Sequence, residues 1–165
     1  MSWREVETGE VGEIVVRGPI TMLGYWERPE ATAETLRGAW LRTGDLASRD
    51  ADGFVTLTGR ARDLYISGGE NVYPAEVEQV LEEHPAIREV AVVGLPDPDW
   101  GEAGCAYVTL EEGAALEIDG LRAWARDRLA AFKLPRSLVL TGPLPRTASG
   151  KVRKHALRPA GEPEA

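Results

Sequence analysis

A chain of 165 residues, 43% hydrophobic and 28% charged, carries enough apolar material for a folded core, which excludes disorder along its whole length. Its single cysteine, Cys105, has no mate for an internal disulfide and, with only two histidines, furnishes no structural zinc set, so the composition fits a reducing, cytoplasmic setting. The net charge of −8 disfavours nucleic acid as a partner; the charged start Met1-Ser2-Trp3-Arg4-Glu5 and the lack of a run of about 18 apolar residues disfavour export and a membrane span. In chain order, Gly12 to Gly18 around Ile14-Val15-Val16 predicts a short strand. Phe54 to Thr58, alternating after the Asp52-Gly53 turn, predicts another, so the first 60 residues read as β-rich. From Gly59 the character changes. A strand at Leu64 to Ser67 and a Gly68-Gly69 break precede a helix starting at Pro74, with Val77, Val80 and Leu81 on one face. Val90 to Val93 reads as a strand buried on both faces, and Cys105 to Leu110 as a further strand. Leu121, Trp124, Ala125, Leu129 and Phe132 recur at helical spacing and predict one helix ended by the Leu134-Pro135 step. Ser137 to Leu140 reads as a strand, Val152 to Arg158 as a short helix stopped by Pro159, and residues 159–165 as a disordered tail. The expected fold is α+β. A β-rich part spans residues 1–60, and a small α/β domain with short sheets and flanking helices spans 61–158.

Charge is unevenly placed. Residues 1–127 carry 25 acidic and 11 basic side chains, whereas residues 128–165 carry 8 basic and 2 acidic. The basic section either faces a small polyanion or balances the acidic body, and pattern alone leaves both open. Gly150-Lys151 is not a phosphate-binding P-loop, because Val152 stands where a magnesium-binding Ser or Thr is needed. Neither a dinucleotide fingerprint, a zinc-protease helix nor a Gly-x-Ser-x-Gly elbow is present.

Four segments place polar or glycine residues where a minimal fold does not need them. In Trp40-Leu41-Arg42-Thr43-Gly44-Asp45-Leu46, Asp45 follows a glycine turn. It either accepts hydrogen bonds from a vicinal diol such as a ribose or bonds its own backbone. In Gly59-Arg60-Ala61-Arg62-Asp63 and Ile66 to Glu78, the adjacent Gly68 and Gly69 let a ligand approach the main chain, or simply turn it before the helix. In Pro145 to Lys154, Lys151 sits on a small-residue loop and brings a point charge to a carboxylate or phosphate, unless it is only solvated. Pro98 to Gly101 and Phe132 to Arg136 set aromatics beside bases. Such a pairing can stack on a purine and bind its phosphates, although core packing competes for Phe132.

Taken in this order, these segments resemble the C-terminal portion of the adenylate-forming enzymes, the superfamily of acyl-CoA synthetases, luciferases and peptide-synthetase adenylation domains. The resemblance runs from Gly12 to about Arg158, and Ser67 to Pro74 looks most like the fatty-acyl and related acyl-CoA ligases. It implies a two-step reaction in which a carboxylic acid and ATP give an acyl-adenylate, and a thiol, that of coenzyme A, then displaces AMP. It also implies that Asp45, assisted by Arg60, holds the ribose, that Lys151 is catalytic in the first step, and that Arg62 is the hinge of a mobile small domain. Relatives commonly carry Asp or Lys at that hinge, so Arg62 departs from the pattern. Gly68 and Gly69 would line the pantetheine channel, and Trp100, Phe132 and Arg136 would contact coenzyme A. The phosphate loop, the adenine-binding segment, the Mg2+-coordinating glutamate and the acyl pocket of the family's large N-terminal adenylation domain have no counterpart here. The resemblance implies that residues 1–60 are the C-terminal end of that domain, the last part of a β-rich, distorted-barrel subdomain, with residues 61–158 as the small mobile C-terminal domain. The expected protein is therefore a fragment of an ATP-dependent acyl-CoA ligase, inactive alone, with no metal ligands of its own. A non-catalytic binding or regulatory remnant, and acyl transfer to a carrier-protein thiol, are the alternatives; the acyl group is not legible.

Overall fold

The computed structural model describes residues 3–157, so Arg158 of the last predicted helix and the predicted tail lie outside the described residues. The chain divides into two compact units, one ending at Arg62 and the other beginning at Asp63.

In the first unit, strand β1 (Val11–Val16) and the long strand β3 (Trp40–Arg49) run antiparallel. The opposite edge of β3 takes β2 (Leu36–Arg37) at its start and β4 (Val55–Arg60) at its end. A seven-residue helix, α1 (Pro29–Thr35), leads into β2 with proline in its first turn. Pattern reading has no means of finding α1, because none of its residues is buried and no apolar stripe forms.

In the second unit, β5 (Tyr65–Ser67) and β6 (Glu70–Val72) form a hairpin turned by Gly68 and Gly69, at φ +61° and +88°. Both central residues of so tight a turn need positive φ, which only glycine reaches without strain. Helix α2 (Pro74–Glu82) follows, burying Pro74, Val77 and Leu81. The long antiparallel pair β7 (Ile87–Asp97) and β8 (Gly101–Leu110) forms the body of the sheet, with β8 central and β7 at its edge. The other edge of β8 pairs with β5 and, in parallel, with β9 (Ser137–Leu140). Helix α3 (Ile118–Ala125) contributes Leu121 and Ala125 to a core shared with Tyr65, Val72, Val77, Leu81, Val92 and Val108. Val90 to Val93 are buried, as a strand covered on both faces requires.

Two boundaries differ from the sequence expectation. The predicted helix through Phe132 stops at Ala125, because the Arg128 guanidinium donates to the Trp124 carbonyl at 2.7 Å and lies over the Trp124 ring. The Arg128 N–H bonds Ala125 instead, tightening the last turn. A separate 3-10 turn, Ala131–Lys133, then carries Phe132 back onto the core, so the apolar period is right where the continuous backbone is not. The basic stretch after Val152 forms a 3-10 turn at Lys154–Leu157, with Val152 held in a β-bridge to Arg146.

Candidate functional site

Asp45 owes its place to a bend in β3. Gly44 takes φ +74°, and its N–H donates to Glu13 Oε1 at 3.1 Å, while Glu13 Oε2 receives Arg42 Nε at 2.9 Å. The Thr43 hydroxyl donates to the Ile14 carbonyl at 2.8 Å and accepts the Asp45 N–H at 3.1 Å. Asp45 faces Arg60 in register across β3 and β4, and Arg60 Nε lies 2.9 Å from Asp45 Oδ1. The carboxylate therefore meets a guanidinium, not its own turn, and stays about one-third exposed. Glu13, which fixes the bend, carries no local sequence signal, because its partners are some 30 positions away. Arg62 closes the first unit in the turn after β4.

In the second unit the structure gathers Gly68, Trp100 and Arg136. A Cβ at Gly68 would lie 2.7 Å from the Trp100 ring, and the Gly68 N–H donates to the Trp100 carbonyl at 2.9 Å. Around Gly69 there is open space. The Arg136 guanidinium lies over the Trp100 ring, 5.2 Å from its centroid. Asp97 binds both residues: Oδ1 accepts the Trp100 N–H at 3.0 Å, and Oδ2 lies 3.5 Å from Arg136 Nε. The turn Asp97-Pro98-Asp99-Trp100 is readable as an Asx turn, since the Asp99 N–H also donates to Asp97. Its ion pair with Arg136 is not. Phe132 stands apart from this group, half-buried against the core with the Lys133 ammonium 5.7 Å from its ring centroid.

Lys151 rides on a closed loop. Its N–H donates to Thr147 Oγ1 at 3.1 Å, its carbonyl accepts the Thr147 N–H at 2.8 Å, and Arg146 bridges to Val152. The backbone is thus fully engaged while the side chain is exposed. Most other bases of the section are neutralised: Lys133 pairs with Glu76, Arg136 with Asp97, Arg146 with Glu89 and Lys154 with Glu78. Among the described residues after position 127, Arg128, Lys151 and Arg153 have no such carboxylate partner, and Arg128 is engaged instead by the Trp124 carbonyl and ring. The basic section therefore balances the acidic body and leaves Lys151 as a distinct point charge. The Arg146 guanidinium, then the Leu144 N–H, hold the Glu89 carboxyl below the ordinary carboxylate range. Burial raises the Cys105 thiol pKa, so this cysteine is an inert core residue.

Among the described residues, no group of three or more His, Cys, Asp or Glu could hold a metal ion, and no step is assigned through Mg2+. No helix among them is long and apolar enough to cross a membrane.

The sequence model described as AMP-binding enzyme C-terminal domain matches residues 76–151. A feruloyl-CoA synthase of an Amycolatopsis species is 51% identical over 157 residues, which are 95% of this chain and 32% of the relative. The solved structure of o-succinylbenzoate-CoA synthetase (MenE) from Bacillus subtilis, in complex with the acyl-adenylate intermediate OSB-AMP, superposes with a TM-score of 0.86 at 41% identity. That match covers 97% of this chain and 33% of the other. The amide bond synthetase McbA from Marinactinospora thermotolerans gives 0.82 at 47% identity, covering 92% and 31%. The chain thus spans about a third of the length of these proteins. An α+β fold, a family match that runs from α2 to Lys151 and this set of relatives agree: residues 76–151 match the AMP-binding enzyme C-terminal domain family, in a chain whose homologues are acyl-CoA synthetases and ligases.

Proposed function

We propose that this chain is the C-terminal portion of an ATP-dependent acid–thiol ligase. A carboxylate oxygen attacks the α-phosphorus of ATP, pyrophosphate leaves, and the acyl-adenylate then reacts with the thiol of coenzyme A, forming the thioester and releasing AMP. The observation that carries this reading is Lys151, an exposed ammonium on a residue whose backbone N–H and carbonyl are both bonded to Thr147, within a section whose other bases are largely paired. Lys151 supplies positive charge where negative charge develops around the carboxylate and the α-phosphate. Asp45, oriented by Arg60, accepts hydrogen bonds from the ribose hydroxyls. The second unit pivots at Arg62, so that the Gly68-Gly69 hairpin replaces the lysine loop for the second step. Trp100 and Arg136, tied by Asp97, offer a ring and a guanidinium to the coenzyme A nucleotide, and Phe132, apart from them, is a separate contact. The likeness to an amide bond synthetase favours a second reading of the acceptor alone, in which an amine replaces the thiol.

The test joins this chain to a large domain of the kind its relatives carry and follows the two half-reactions separately. Lys151→Ala should slow ATP–pyrophosphate exchange by about 100- to 1,000-fold while sparing thioester formation from supplied acyl-adenylate. Gly69→Leu, which places a branched side chain at φ +88° in the open channel, should do the reverse. Equal loss of both half-reactions in both variants would refute the alternating use of two loops, and aminolysis outpacing thiolysis would reassign the acceptor.

A further inference from the structure

The loop that presents Lys151 is tied to the central sheet by one carboxylate, Glu89 on β7. Glu89 Oε1 accepts Arg146 Nη2 at 2.8 Å, and Oε2 lies 3.4 Å from the Leu144 N–H. The other terminal nitrogen of Arg146 donates to the Gly150 carbonyl at 2.8 Å. Gly150 directly precedes Lys151 and sits at φ +86°, a conformation in which glycine is free to drift unless something fixes its carbonyl. The guanidinium is planar and rigid, so it transmits the position of a strand residue to the peptide bond that carries Lys151. Without the Glu89 end, Arg146 would be a long, freely rotating side chain with one anchor. At this exposure an ion pair contributes little to global stability, which leaves local geometry as its effect. On the far side, Lys154 reaches Glu78 at 2.6 Å, and Glu78 also accepts the Val92 N–H of β7. The segment is therefore anchored on one side to β7 through Glu89 and on the other to α2 through Glu78, which itself bonds β7.

We propose that Glu89 is a positioning residue for Lys151, acting through Arg146 and the Gly150 carbonyl to hold the ammonium at a fixed place above β7. This rests on the reading that Lys151 serves adenylate formation. Displacement of a reacting group by about 1 Å costs up to about 100-fold in rate, so a loosened loop selectively slows the step that uses it.

The experiment has an arm independent of activity. In the 165-residue polypeptide, 15N relaxation of the amides from Thr147 to Lys151 should report a rigid loop in the wild type and in Glu89→Gln, whose amide oxygen still accepts from Arg146. It should report a mobile loop in Glu89→Ala, with an unchanged melting temperature. In the protein joined to its large domain, Glu89→Ala should lower ATP–pyrophosphate exchange by about 10- to 100-fold, leave thioester formation from supplied acyl-adenylate within about twofold, and be largely rescued by Glu89→Gln. Loop amides that stay rigid in Glu89→Ala, or an equal loss in both half-reactions, would overturn the proposal while leaving the role of Lys151 standing. A Lys151→Ala control that exchanges normally would overturn both.

Discussion

Tyr65 lies across a glycine pair, Gly94 and Gly104, that face each other in the β7–β8 register. A Cβ at Gly94 would stand 2.3 Å from the Tyr65 Cβ, and one at Gly104 would stand 2.4 Å from the hydroxyl oxygen. Such distances exclude any side chain at either place. Sequence pattern ends one strand at Val93 and begins the next at Cys105, with these glycines as boundaries, whereas the strands run on to Asp97 and back from Gly101. A glycine that admits a neighbour's ring and a glycine that ends a strand look alike in sequence; only the distant tyrosine tells them apart. The same distance hides Glu13 and Asp97, while Asp45, Arg60 and Lys151 stand out in the sequence as candidates because the segments that carry them are local. The Tyr65 hydroxyl is buried and has no hydrogen-bond partner among the described residues, and burial followed by the carboxylates of Glu102 and Glu78 drives its pKa up. The phenol therefore stays neutral and unsatisfied, at a cost of about 1–3 kcal/mol. Tyr65→Phe should raise stability by up to that amount in chemical denaturation, whereas Gly104→Ala should lower it by about 1–3 kcal/mol. A Tyr65→Phe variant less stable than the wild type would mean that the hydroxyl is satisfied in solution.

Elements are legible where one apolar face or one run of β-branched residues sets them, as in α2, β9 and the centre of β7. They are not legible where a polar side chain decides, as when Arg128 ends α3. Such a polar group also packs against α3. His84, just beyond α2, accepts the Ala86 N–H through Nδ1 at 3.1 Å and meets the Trp124 ring edge-on with centroids 5.0 Å apart. Burial lowers its pKa from the ordinary 6.5, so the unfolded chain binds this proton more tightly than the folded one. The stabilisation is complete above pH 6.5 and is lost as pH falls through the lower folded value. Urea midpoints measured from pH 8 down to about 5 should decline in the wild type. They should decline less in His84→Asn, which keeps an acceptor for Ala86 but does not titrate. Parallel declines in the two proteins would assign the acid sensitivity to other groups.

At the scale of the whole molecule, apolar burial is divided unequally between the units. The second unit holds the continuous cluster from Tyr65 to Leu134, whereas among the described residues the first unit fully buries only one hydrophobic side chain, Ala47. In that first unit Ile20, Leu23, Trp26, Phe54 and Leu57 are each at least two-thirds exposed. A surface with this many exposed apolar groups is of the kind that a partner or a further domain covers, and the relatives are about three times the length of this chain. Backbone hydrogen bonds in β1, β3 and β4 are then protected only by local pairing, while those in β7 and β8 open with the core. Hydrogen exchange on the 165-residue polypeptide should therefore find β1, β3 and β4 exchanging about 100-fold or more faster than β7 and β8, since each tenfold in protection corresponds to about 1.4 kcal/mol of opening free energy. Joining a large domain ahead of Met1 should slow exchange in the first unit and leave the second nearly unchanged. Equal protection of the two units in the isolated polypeptide would instead mean that the first is stable by itself and that its exposed side chains need no cover.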